Sequence, residues 1–196
     1  MSLVELIARA DERGLAAAGL ACSDRCVTLL GGDDETLRPL WGTLMEDSDT
    51  ARWGDLVALV RDKLEGAAGD QDGGPGAAPE EPAVAEAVAL ARRMLDTAPD
   101  RRTGAELREW ADACSVAALR IHRLLDPAQD PEDVDTRRAG RTEGMPPLAA
   151  AELRRQVTVL ELLAEHGPQG LRCALEVSTE GRRVLRAAVS RRARTA

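Results

Sequence analysis

The stretch Thr103–Asp126, TGAELREWADACSVAALRIHRLLD, decides the fold. Leu107, Trp110, Cys114, Ala117, Ile121 and Leu124 recur at steps of three and four, so they share one helical face. Ala111, Ala118 and Leu125 widen that face, and Val116 and Leu119 open a second one. The spacing predicts one amphipathic helix of about six turns. Thr103 with Glu106 three residues on reads as a capping box at its start. Asp126-Pro127 ends it, because proline supplies no backbone donor. A helix apolar on two sides is either central to a bundle or shared with another subunit.

Composition extends this reading to the whole chain of 196 residues. There is no Phe and no Tyr, and the aromatics are Trp41, Trp53 and Trp110. Ala, Leu, Arg and Glu are abundant and β-branched residues sparse, which favours helix over strand. The expected fold is all-α, an irregular helical bundle of about seven to eight helices. Small side chains should let those helices approach closely.

Upstream, Glu81 and Pro82 open a helix that carries Val84, Val88, Ala91 and Leu95 inward, Pro99 ends the turn after it, and with the 103–126 helix it makes a hairpin block over 82–126. Residues 1–66 form an N-terminal helical lobe. In it, Ser2 and Glu5 make a capping box, and Leu15, Ala18, Cys22, Cys26 and Leu29 form a stripe. Gly14 stands as a candidate break. Leu37, Leu40, Trp41 and Leu44 mark a short helix with Pro39 in its first turn. Ser48, Asp49 or Thr50 would cap a further helix holding Trp53, Leu56, Val57, Val60 and Leu64. Between the blocks, residues 67–81 are rich in Gly, Pro and acids and read as a flexible linker. Residues 127–146 read the same way and are acidic. The C-terminal block, 147–196, opens on Pro147, carries Leu153, Val157, Leu160 and Leu163, and stops at His166-Gly167-Pro168. Gly170–Val177 fits helix or strand, and Ser178 or Thr179 would cap a last helix.

The net charge of −8 argues against bulk nucleic-acid affinity. Basic residues are almost all Arg, with Lys63 the only lysine, a codon signature of a GC-rich bacterial genome. Residues 2–13 contain Glu5, Asp11 and Glu12, unlike a secretory leader. The apolar run Leu15–Cys22 is too short to span a bilayer, so no membrane partner is expected. Four cysteines at irregular spacing read as reduced, cytoplasmic thiols.

Motifs for chemistry are missing. Cys22 and Cys26 make one loose pair, where zinc sites use two tight ones. His122 lies between Arg120 and Arg123, on what reads as the outer side of its helix, and His166 sits in a last helical turn. No HExxH, phosphate-binding loop, dinucleotide fingerprint or nucleophile elbow is present. Asp33-Asp34-Glu35 suits capping, and the acids at 130–135 lack the glycine of a calcium loop. No catalytic residue, metal or cofactor is therefore assigned.

Two features point to binding. Trp41, Trp53 and Trp110 are of the type that anchors interfaces. Arg182, Arg183, Arg186, Arg191, Arg192 and Arg194 crowd the C-terminal helix with no acid after Glu180, the asymmetry of a surface for an anionic partner. The first expectation is a non-catalytic protein–protein interaction or adaptor module that self-associates as a homo-oligomer. The alternatives are a nucleic-acid-associated regulator using the C-terminal arginines, and a small-molecule binder or enzyme with an inter-helix pocket.

Overall fold

The computed structural model describes residues 1–46, 50–71 and 81–194. Its helices are α1 (Leu3–Arg9), α2 (Glu12–Cys26), α3 (Arg38–Met45), α4 (Thr50–Gln71), α5 (Pro82–Asp96), α6 (Gly104–Leu125), α7 (Val134–Arg138), α8 (Pro147–His166) and α9 (Gly170–Arg192). Short 3-10 turns follow α2 and α8. The protein is all-α: eight of these helices have seven residues or more, α7 is a single turn, and no strand occurs among the described residues.

The axis of the bundle is α2, not the 103–126 helix. Every residue from Gly14 to Cys26 is buried, the polar Ser23, Asp24 and Arg25 included. Helices α6, α8 and α9 pack around it, with α3 and α5 at its flanks. Four alanines and two glycines among its buried residues let neighbours come close. At Gly19 the approach is limiting: a Cβ there would stand 2.5 Å from the Trp110 ring. At Gly181 of α9 a Cβ would meet Arg25 Cδ of α2 at 2.3 Å. One hydrophobic cluster holds residues of all three sequence blocks, from Leu3 to Leu185, so the blocks share a core.

Some helix ends are satisfied by their own local sequence and others by groups from distant helices. The Ser2–Glu5 capping box forms as expected. The break before α2 falls at Ala10-Asp11 rather than at Gly14, whose N–H donates to the capping Asp11 carboxylate at 2.7 Å. Thr103 stands at the N-cap of α6 but its side chain accepts no backbone N–H, and its hydroxyl donates to Glu106. Glu12 of α2 takes the Gly104 N–H at 3.0 Å. Arg61 of α4 closes the end of α5, donating to the carbonyls of Leu95, Asp96 and Ala98. Helix α8 stops at Gly167, whose φ of +54° suits glycine.

Three segments differ from their sequence reading. Helix α9 runs unbroken from Gly170, so 170–177 is helix and Ser178 is no cap. Its hydroxyl donates to the Ala174 carbonyl within the helix. Of 67–81, residues 67–71 continue α4 and 72–80 lie outside the described residues, as do the cap candidates Ser48 and Asp49. Residues 127–146 contain α7 and a buried ion pair. Arg137 holds Asp130 at 2.6 Å and donates to the carbonyls of Arg141 and Glu143. Two of its acids, Asp130 and Asp135, pair with its own Arg137 and Arg138, and Asp133 caps α7.

Candidate functional site

The three tryptophans lie in the core. Trp41 and Trp53 are fully covered and Trp110 is 3% exposed. Trp53 and Trp110 meet edge to face, centroids 6.0 Å apart. Trp53 Nε1 donates to Pro99 O at 2.7 Å, and Trp110 Nε1 to Met94 O at 2.8 Å. Trp53 thereby anchors α4 to the α5–α6 turn and Trp110 anchors α6 to α5, and Trp41 and Trp53 present nothing to a partner. Trp110 also backs a groove of about 450 Å³ between α5 and α6, beside Met94 and Ala113.

The C-terminal arginines divide. Arg182 is buried and bridges Asp24 of α2 at 2.5 Å and Asp34 at 3.0 Å. Burial pushes the Asp24 carboxyl up to about 6, against the pull of Arg182 and Arg25. Arg192 binds both Glu81 oxygens at 2.7 Å, and that pairing draws Glu81 below the usual carboxylate range. Arg183, Arg186 and Arg191 are exposed.

His122 is fully buried, a correction to its expected place on the outer side of α6. It belongs to a polar cluster between α2, α6 and α8. Arg25 grips Glu152 through Nε at 2.8 Å and Nη2 at 2.7 Å. Gln156 donates to Glu152 at 2.8 Å and accepts from Ser115 at 2.7 Å. Arg138 of α7 donates to the Ser115 hydroxyl and pairs with Asp112. His122 Nδ1 lies 2.7 Å from the Ala118 carbonyl, which assigns its proton there and turns Nε2 to Glu152 at 3.5 Å. Burial raises the Glu152 carboxyl, but Arg25 and then His122 bring it below its ordinary value. Burial holds His122 below the normal histidine range, against Glu152.

This cluster is closed to solvent at Arg25, His122 and Glu152 alike. Its chemistry is adhesion between helices. Cys22, Cys26 and Cys114 lie beside it with thiols driven upward by burial, Cys22 to about 12, so they sit as unreactive core groups. Among the described residues, no three His, Cys, Asp or Glu converge as metal ligands.

One open groove lies where the ends of α6 and α8 meet α9. The last turn of α6, the first turn of α8 and the C-terminal half of α9 enclose a groove of about 700 Å³. Leu125, Pro127, Leu148, Ala151, Val184 and Ala188 give it an apolar lining, and Glu81, Asp126, Arg191 and Arg192 add charge. Asp126 is committed to structure: its carboxylate accepts from the N–H groups of Ala128 at 3.1 Å and Leu148 at 2.7 Å, and so caps α8. Arg192 is tied to Glu81, and Arg191 stands exposed at the groove. Of the residues singled out by sequence, this site gathers Arg191 and Arg192 alone. The only signals for the remainder are Asp126-Pro127 and Pro146-Pro147, which mark helix ends without saying that they meet.

Among the described residues no helix is long and apolar enough to cross a membrane. No known protein family, no curated protein and no solved structure matches this chain.

Proposed function

We propose that the chain is a non-catalytic helical module that binds a protein partner in the groove between α6, α8 and α9. One observation carries this reading: the groove's apolar lining runs along α9 beside a band of arginines. At ~100° per residue, Arg183 and Arg191 fall on one side of α9. They lie roughly 12 Å apart along the axis, at 1.5 Å per residue. A small ligand's head group is shorter than that, whereas an amphipathic helix matches it, with apolar side chains in the groove and acids against the arginines. Four unpaired thiols, with Cys173 exposed, suit a reducing compartment, so we place the module in the cytoplasm.

The test is a panel of fluorescent helical peptides with apolar residues at i, i+4 and i+7 and acids along one flank. Anisotropy should show binding that weakens with salt and is lost in Ala151→Trp, which fills the groove. No binding up to ~1 mM peptide, about −4 kcal/mol, would overturn it.

Nucleic-acid binding through α9 is the second reading, carried by the exposed Arg183, Arg186, Arg191 and Arg194. It requires salt-sensitive retardation of DNA or RNA that disappears when those four are replaced. Retention of the shift after that replacement removes α9 from the account.

A further inference from the structure

We propose that the Glu81–Arg192 ion pair is an internal strap on the groove, in which Glu81 holds on Arg192 the place that a partner's carboxylate takes. This rests on the protein-binding reading above and adds its regulation. The pair joins residues 111 positions apart, Glu81 at the N-cap of α5 and Arg192 at the last residue of α9. Arg192 Nε lies 2.7 Å from each Glu81 oxygen, and Nη2 lies 2.5 Å from Oε1. Both residues line the groove.

The strap is built to open. The Glu81 side chain accepts no N–H of α5, so its release uncaps nothing. Helix α5 is fastened elsewhere: it packs on α6, takes the Trp110 indole N–H at Met94 O, and has its far end closed by Arg61. Asp126, the other acid of the groove, caps α8 and is not available for exchange. At 28% and 31% side-chain exposure the ion pair is screened by water, and a pair of this kind shifts an equilibrium by about fivefold at most.

The strap also sets where the partner's acid must stand. Val184, Ala188 and Arg192 follow at steps of four, so they form one row along α9 of roughly 12 Å. The partner's apolar side chains lie over Val184 and Ala188, and its carboxylate reaches the Arg192 end. A neutral occupant leaves the strap shut, whereas an acidic one exchanges with Glu81. The affinity for an acidic partner then scales with the fraction of chains in which the strap is open.

The experiment uses the full-length chain and two fluorescent helical peptides with the same apolar row. One carries a glutamate a turn beyond the row, and the other carries a glutamine there. By anisotropy at low salt, Glu81→Gln and Glu81→Ala should each bind the acidic peptide up to about fivefold more tightly than wild type. Their affinity for the neutral peptide should stay within about twofold of wild type. Arg192→Gln should lose the preference for the acidic peptide, and adding Glu81→Gln to it should change nothing further.

Three results overturn the strap. One is an acidic peptide bound no more tightly when Glu81 is replaced. Another is equal tightening of the neutral peptide, which makes Glu81 an obstacle rather than a rival for Arg192. The third is tightening that persists in the Arg192→Gln background, which makes it an effect of net charge. If wild type captures the peptides and any of these results is found, the protein-binding reading stands and the strap falls. If neither wild type nor Glu81→Gln captures a peptide, both fall.

Discussion

Arg25 and Glu152 form a two-point ion pair in which neither side chain touches solvent, linking α2 to α8 at 2.8 and 2.7 Å. Taking both charges out of water is costly, and the pair offsets that cost only while both members are present. Glu152→Ala should therefore destabilise the fold by ~3–5 kcal/mol, because Arg25 is left buried and alone. Arg25→Met with Glu152→Leu should recover most of the loss. Urea unfolding of the three chains checks this. A single substitution costing under ~1 kcal/mol would mean that water reaches the cluster.

The α2–α6 crossing gives a prediction from one methyl group. Ala is the better helix former by ~1 kcal/mol, so Gly→Ala within an exposed helix stabilises. Gly66 on α4 has nothing within 4 Å of its would-be Cβ, and Gly66→Ala should gain ~0.5–1 kcal/mol. Gly19→Ala should lose ~1–3 kcal/mol, because the new methyl group displaces the rigid Trp110 ring. Tryptophan fluorescence should shift in the second variant and not in the first.

His122 gives the pH dependence. Burial holds its folded pKa below the ordinary 6.5, so the unfolded chain takes up a proton first as pH falls. The stability it contributes is complete above pH ~6.5 and declines below that value. Asp24 acts in the opposite sense: with its carboxyl raised to about 6, the folded chain keeps a proton between about 3.8 and 6 that the unfolded chain has lost. The comparison that isolates His122 is wild type against His122→Asn, which leaves Asp24 unchanged. Their stability difference should change as pH falls from 7 to 5, with wild type losing relative ground. A constant difference would mean that His122 does not titrate differently in the two states.

The legible part is mostly what depends on neighbours within two turns, with the Thr103–Glu106 box as the exception. The stripe of Leu107, Trp110, Cys114 and Ile121 is buried as its spacing requires, and the Ser2–Glu5 box forms. His122 reads as solvated because Arg120 and Arg123 flank it, while its partner Glu152 comes from α8. The central role of α2 is hidden for the same reason. Asp24 and Arg25 look like surface residues until Arg182 and Glu152 arrive from 158 and 127 positions away. The groove is less legible still, since it is made of the ends of α6 and α8 and a stretch of α9, separated along the chain, and none carries a motif.

Arg182 and Arg183 are adjacent, carry the same charge and belong to one cluster by composition. The fold separates them. Arg182 lies under α2 against Asp24 and Asp34, and Arg183 faces solvent. Arg182→Ala should cost ~3–5 kcal/mol, since Asp24 is then buried without its partner. Arg183→Ala should stay within about 0.5 kcal/mol of wild type. On binding the order reverses. Arg183→Ala should weaken capture of an acidic peptide in the groove and flatten its salt dependence, because Arg183 belongs to the band beside the groove. Arg182→Ala should leave the affinity of the folded fraction unchanged, because its guanidinium is committed to α2. Thermal melts and anisotropy on the same two variants separate the roles, and equal effects of both substitutions on stability would contradict the burial of Arg182.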